Sequence, residues 1–164
     1  MRSHVKAVFC GLFLLVFTQM SLAANGKFPI GPDAKMTPGS VCSNPDSVRY
    51  PEHIKYCERN VDSQLKRSIF AEYDKTLGYS MRTMNRMDFK IDHYIPLCAG
   101  GSNDRINLWP QHKSVYDITD PMEPLICGKM SEGRLAQAKA IELIKTGKND
   151  LNKVPEILKY LESL

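Results

Sequence analysis

The sequence predicts an α+β protein, a mostly helical single domain built around a small antiparallel hairpin and stabilised by disulfide bonds. Three stretches of the chain place apolar residues three or four positions apart, which is the period of an amphipathic helix. Near the middle, two short apolar segments flank a Gly-Gly turn, as paired strands do. Four of the five cysteines lie beyond an export-type leader, and an even number in an exported chain favours two disulfides.

Residues 1–23 have the form of a secretory signal peptide. A basic lead with Arg2 and Lys6 precedes an apolar run too short to span a bilayer, and Ser21 and Ala23 fit a cleavage site. Cleavage keeps all 18 acidic residues and lowers the formal net charge from +4 to +2. We therefore expect a secreted or periplasmic protein without membrane contact, whose overall charge does not itself predict a nucleic-acid partner.

Residues 24–61 are rich in Gly, Pro, Ser and Asn and predict an extended arm that is ordered mainly by a disulfide clip. We prefer the pairing of Cys42 with Cys57 and of Cys98 with Cys127, although four cysteines allow three connectivities. A clip around a loop of about 15 residues would stabilise the fold by roughly 3 kcal/mol. The lack of any Cys-x-x-Cys pair argues against structural zinc.

The folded domain is predicted over residues 62–164 and opens with a helix. Its apolar stripe consists of Leu65, Ile69, Tyr73 and Leu77. Asp62 can accept hydrogen bonds at the helix start, and Gly78 can end the helix in a left-handed conformation. Start, stripe and stop signals occur together in this segment and predict a helix that begins after Asp62 and ends at Gly78.

The central hairpin and the later helices follow in order. Alternation of Phe89, Ile91 and Ile95 with polar residues predicts a strand, and residues 106–109 (INLW) predict its partner. Further helices are expected in four segments, namely after Pro110, after Asp120-Pro121 with its capping-type Glu123, up to Gly147, and over 154–161 with Pro155 at the start.

Within this hairpin, Asp92 and His93 are adjacent and suggest hydrolytic chemistry. Hydrolysis of a phosphodiester requires an activated water and relief of negative charge, which a histidine base and a divalent ion can supply. Neighbouring residues of a strand point to opposite faces. The two side chains can therefore share a cleft only if the strand ends or bulges near them.

The segment 92–111, DHYIPLCAGGSNDRINLWPQ, resembles the HNH (ββα-metal) nuclease motif. The matching residues are Asp92, His93, Pro96, Leu97, Gly100, Gly101, Asn107 and Leu108. Its Asn-Leu-Trp-Pro-Gln form further resembles a subgroup of exported bacterial HNH proteins that lack zinc-binding Cys pairs. The resemblance is strong over 92–111, fainter to about Ile144, and does not cover 25–78; it defines a motif core over 88–120.

The resemblance implies a metal-dependent endonuclease. His93 would be the general base, and Asn107 would brace the hairpin. Asp92 would hold a divalent ion, with Mg²⁺ the first choice and Mn²⁺ the alternative. Gly100 and Gly101 would permit the tight turn.

The position of the last metal ligand departs from the family pattern. Many members carry Asn or His about two helical turns after the Asn-Leu pair, where this chain has Tyr116 and Asp117. We favour His112 as the second ligand, because imidazole is a competent ligand and His112 begins the predicted helix. Asp117 and then Asp120 remain alternatives.

The substrate implied is DNA, with RNA as a second candidate, cleaved with little sequence specificity. Arg82, Arg86 and Arg105 flank the motif and are candidates to bind phosphate, while Trp109 is expected in the core. An inhibitor protein, the oligomeric state and the physiological role stay open. The rival hypothesis is a secreted binding or inhibitor module that keeps the disulfide scaffold but has a degenerate motif.

Overall fold

The structure is a computed structural model, and it describes residues 26–164. The predicted signal peptide lies outside this range. The described chain forms five α-helices and two two-stranded antiparallel sheets, which confirms the α+β class. Among the described helices, none has both the length and the apolar character that a bilayer crossing requires.

The arm contains a hairpin that the sequence did not predict. Strand β1 (Ser47–Arg49) pairs antiparallel with β2 (Ile54–Tyr56). The predicted Cys42–Cys57 disulfide is confirmed and closes the base of this hairpin, with its Cα atoms 5.7 Å apart. The arm is therefore a folded part of the described chain rather than an extended segment held by the clip alone.

The first predicted helix is confirmed as α1 (Ser63–Leu77). The Asp62 carboxylate accepts a hydrogen bond of 2.7 Å from the Leu65 amide, and Gly78 ends the helix with φ of +74°. Its buried face includes Ile69, Phe70 and Tyr73. This face packs against the central hairpin and helps to fix its position.

The central hairpin joins β3 (Phe89–His93) to β4 (Leu108–His112), and α2 (Lys113–Thr119) follows directly. The predicted helix start at Pro110 is wrong, because Pro110 lies within β4 opposite Ile91. A two-stranded sheet leaves one edge of each strand unpaired, so proline can be accommodated there without losing a ladder bond. The chain order in this region is strand, strand, helix.

Three helices complete the domain. They are α3 (Met122–Ser131), α4 (Gln137–Asn149) and α5 (Val154–Ser163). The predicted stop at Gly147 is wrong, since α4 continues through it; a Cβ there would lie 2.6 Å from the Met122 side chain, so the glycine serves helix packing. The predicted Cys98–Cys127 disulfide is confirmed and ties the hairpin loop to α3.

The buried apolar residues form two clusters. One joins α3, α4 and α5, and the other joins α1 to the central hairpin and includes the fully buried Trp109, as predicted. The end of β3 reaches the region between them, so residues there have support from both sides.

Candidate active site at the end of the central hairpin

A cleft of about 260 Å³ opens where β3 ends. Its lining residues are Arg49, Tyr56, Arg59, Asp92, His93, Pro96, Leu97, Cys98, Glu123 and Cys127. A larger groove of about 500 Å³ runs between α4 and α5, but its lining contains no histidine or cysteine. The smaller cleft is the better candidate site, since it combines an imidazole, two carboxylates and two guanidinium groups.

Asp92 and His93 both line this cleft although they are neighbours in β3. Their opposite orientations in a strand do not separate them, because β3 ends at His93. Both are nearly inaccessible, with 7% of Asp92 and 4% of His93 exposed. The end of the strand thus places an acid and a base at one wall of the cleft.

The orientation of the His93 ring is fixed by Asn103. The Asn103 side-chain oxygen accepts hydrogen bonds from the Asn60 amide at 3.2 Å and from His93 Nε2 at 3.1 Å, while its nitrogen donates to the Glu58 carbonyl at 2.6 Å. The Asn60 N–H requires an acceptor and the Glu58 carbonyl requires a donor, so these two contacts identify the oxygen and the nitrogen of the Asn103 amide. An amide oxygen can only accept a hydrogen bond, so Nε2 of His93 carries the proton. The lone pair of neutral His93 is therefore on Nδ1.

The surroundings keep His93 neutral. Burial lowers the pKa of His93 below its ordinary value of 6.5, and the nearby Arg59 charge lowers it further, although the hydrogen bond with Asn103 acts in the opposite direction. The imidazole is then uncharged at neutral pH, with a proton on Nε2 and none on Nδ1. That is the form a general base requires.

Asp92 is held by a buried lysine. Lys148, in the last turn of α4, has a side chain with 0% exposure. Its Nζ donates to Asp92 Oδ2 at 2.7 Å, to Glu123 Oε1 at 2.7 Å and to the His93 carbonyl at 2.6 Å. All three ammonium protons thus have oxygen partners, and one of them is the backbone of the candidate base.

Burial and neighbouring charges shift the pKa values of the ionisable groups in this cluster. Burial alone would raise the pKa of Asp92, but Lys148 and Lys90 outweigh it and hold that pKa below the ordinary value. Burial would likewise lower the pKa of Lys148, yet Asp92 and Glu123 raise it. Burial raises the pKa of Glu123, so Asp92 is the more firmly ionised carboxylate.

Asn107 has the contacts that a brace requires. Its side-chain oxygen accepts from the Ile95 amide at 2.9 Å, and its nitrogen donates to the carbonyls of Ile95 and Ser102 at 2.9 Å. Gly101 lies so close to this loop that a Cβ would overlap the Ile95 carbonyl. The loop between the strands is therefore held tightly next to His93.

Three arginines proposed from the sequence lie elsewhere. Arg82 pairs with Asp74 at 3.2 Å, Arg86 donates to the Phe89 carbonyl at 2.7 Å, and Arg105 forms an ion pair with Glu72. None of the three lines the cleft. The arginines that do line it are the exposed residues Arg49 and Arg59, and Arg59 also donates to the Ile91 carbonyl at 3.4 Å.

The candidate metal ligands are not brought together. His112 pairs with Phe89 at the other end of the hairpin, stacks on Phe28 with ring centroids 4.0 Å apart, and accepts a hydrogen bond from the Ser114 amide at the start of α2. Its role as a ligand stays a prediction. In the described part of the chain, no three His, Cys, Asp or Glu side chains gather to hold an ion.

The alternatives on α2 and after it have other environments. Asp120 binds the Lys90 ammonium through both oxygens at 2.7 Å, and Tyr116 lies below that ammonium, 4.8 Å from it to the ring centroid. Asp117 is exposed. The carboxylates of Asp92 and Asp120 are therefore paired with the ammonium groups of Lys148 and Lys90. This arrangement does not fit the predicted set of metal ligands.

No protein-family model, curated protein or solved structure matches this chain. Two residues that line the cleft and two that bind its Asp92 and His93 from behind were not identified from the sequence. They are Arg49, Asn103, Glu123 and Lys148. The Asn103 position within the quoted motif gave a signal, since Asn in a tight loop is a common hydrogen-bonding residue, whereas the other three had no local signal.

Proposed function

We propose that the protein is an exported endonuclease of the HNH type that hydrolyses phosphodiester bonds of DNA, with RNA as the second substrate. One observation carries the proposal: a buried His93, oriented by Asn103, lies at a cleft with two exposed arginines. The strand–strand–helix order and the bracing contacts of Asn107 support it. Two disulfides support an extracytoplasmic, secreted or periplasmic location.

In the proposed reaction, Nδ1 of His93 takes a proton from a water molecule. The water oxygen forms a bond to phosphorus, the bond from phosphorus to the leaving oxygen breaks, and that oxygen takes a proton from solvent. Arg49 and Arg59 bind the non-bridging phosphate oxygens and offset the charge that accumulates on them. Asn103 keeps the ring in the tautomer that leaves Nδ1 free.

The cleft has no feature that selects a base sequence. Arginine binds phosphate through its planar pair of N–H groups and does so equally along any nucleic-acid backbone. Tyr56, which also lines the cleft, has the Arg49 guanidinium 3.2 Å above its ring. We therefore infer cleavage with little sequence specificity.

A second candidate function is a phosphate-binding module without turnover. The observation that favours it is the Asp92 carboxylate, which is already held by Lys148. Such a module would bind nucleic acid through Arg49 and Arg59 and release it intact. Cleavage separates the two functions, because both bind the polymer and only one shortens it.

The test is plasmid cleavage by the oxidised protein starting at Ala24, with Mg²⁺, with Mn²⁺ and with EDTA. We compare wild type with His93→Ala and with the matched control His53→Asn, since His53 is exposed and outside the cleft. The proposal expects nicking in the wild type and the control and none in His93→Ala. Binding of plasmid without any cleavage in the wild type would favour the module instead.

A further inference from the structure

The Lys148 ammonium lies where a cation would be bound. Two carboxylate oxygens and one backbone carbonyl converge on it, each within 2.7 Å. Hard oxygen donors of this kind are also the ligands that Mg²⁺ and Ca²⁺ prefer. The cluster thus has the donor chemistry of a metal site, and a side chain of the protein fills it.

The ammonium of Lys148 is enclosed by the protein. Lys148 follows Gly147, whose missing side chain lets α4 pack directly on Met122 of α3. The last turn of α4 therefore lies close to α3, and the Lys148 side chain in it is fully buried. A divalent ion at Asp92 would have to displace a fully buried ammonium that has three hydrogen bonds.

The charges around Asp92 also disfavour the binding of a divalent ion. A second ammonium, that of Lys90, lies 3.6 Å from Asp92 Oδ1 and binds Asp120. Each carboxylate of the cluster therefore has a lysine partner. An additional divalent charge would be placed next to the buried ammonium of Lys148 and near the half-buried ammonium of Lys90, which is unfavourable at low dielectric.

We propose that Lys148 is the resident cation of this site and that the protein acts without a divalent metal ion. The catalytic half of this inference rests on the proposed nuclease function. Lys148 is a positioning residue: it holds the His93 carbonyl and the Asp92 carboxylate, while Arg49 and Arg59 supply the positive charge that meets phosphate.

Mn²⁺ titration followed by electron paramagnetic resonance tests the resident cation. The proteins are wild type, Lys148→Met and the control Lys139→Met, which changes an exposed lysine of the same helix. We expect no bound Mn²⁺ in wild type or the control, and one bound ion in Lys148→Met that is lost again in Lys148→Met/Asp92→Asn. Binding to wild type that Asp92→Asn abolishes overturns the proposal, and so does a folded Lys148→Met that binds none.

A measurement on the wild type alone covers the case in which Lys148→Met does not fold. The buried ammonium of Lys148 should give a slowly exchanging ¹H–¹⁵N signal, and Mn²⁺ should leave it unbroadened. Selective broadening of this signal at low Mn²⁺ concentration, reversed by EDTA, overturns the proposal.

Cleavage in EDTA separates this inference from the proposed function. Retained cleavage in EDTA supports both, whereas cleavage that EDTA abolishes overturns metal independence and leaves the nuclease function standing. An absence of cleavage under every condition refutes the nuclease function and with it metal-independent catalysis, and the Mn²⁺ titration still decides whether Lys148 is the resident cation.

Discussion

Replacing Lys148 by methionine is expected to be among the most destabilising single changes in the described chain. Methionine keeps most of the buried aliphatic volume but removes three hydrogen bonds and leaves Asp92 buried without its closest partner. Breaking a buried ion pair from one side costs about 3–5 kcal/mol. We expect a loss near the middle of this range, since Lys90 at 3.6 Å still offsets part of the Asp92 charge.

Urea unfolding of the oxidised protein measures this loss. With a slope of roughly 2 kcal/mol per molar urea, a loss of about 4 kcal/mol lowers the midpoint by roughly 2 M at unchanged slope. The control Lys139→Met should change stability by less than about 0.5 kcal/mol, because that side chain is exposed.

A double-mutant cycle isolates the charge pair. Asp92→Asn in the Lys148→Met background removes the unpaired charge, so the double variant should lose about 2 kcal/mol less than the sum of the two single losses. A Lys148→Met loss below about 1 kcal/mol, or strict additivity with Asp92→Asn, would refute the assigned pairing.

Three other predictions concern the cleft. The pKa of His93 is lowered, so the cleavage rate should stay constant at neutral pH and fall only below pH 6.5. The free energy of unfolding should also decrease as the pH drops below 6.5, because His93 binds the proton more readily in the unfolded chain. A cleavage rate that already falls above pH 7 would contradict this. Arg59→Met should lower kcat/KM roughly ten-fold without changing the urea midpoint, whereas Arg67→Met, exposed and outside the cleft, should change neither. Asn107→Ala should cost about 3 kcal/mol or more, since it leaves the Ile95 amide and two carbonyls without partners, and an unchanged midpoint would exclude the bracing role.

The parts of the fold with local signals were predicted well. Helix α1 has its cap, its stripe and its glycine stop within one segment, and all three are observed. The disulfide pairing followed from proximity in the chain for Cys42 and Cys57. These features depend on interactions between residues close in sequence, which a pattern can register.

The features that were missed depend on tertiary contacts. Strands β1 and β2 have three residues each, too few for an alternation to be recognised, and the turn between them places Tyr50 and His53 at positive φ without glycine. Gly147 was predicted to end a helix, but it allows close helix packing. Pro110 was predicted to begin a helix, but it lies in a strand. Both roles depend on neighbours that are distant in the chain.

The candidate site shows the same division. Asp92, His93 and Asn107 belong to one short motif and were identified together. Lys148 lies 56 residues from Asp92, and a lysine is by default expected at the surface. Nothing local in the sequence announces that this side chain is fully buried as the partner of a candidate catalytic residue.

The most direct test of the nuclease proposal is chemical rescue of His93→Gly by free imidazole. If Nδ1 of His93 accepts the proton of the attacking water, the folded variant should be inactive alone and should regain plasmid cleavage in proportion to the imidazole added, while the wild-type rate stays unchanged. A folded His93→Gly variant that cleaves as fast as wild type without imidazole would contradict the assignment of His93 as the base.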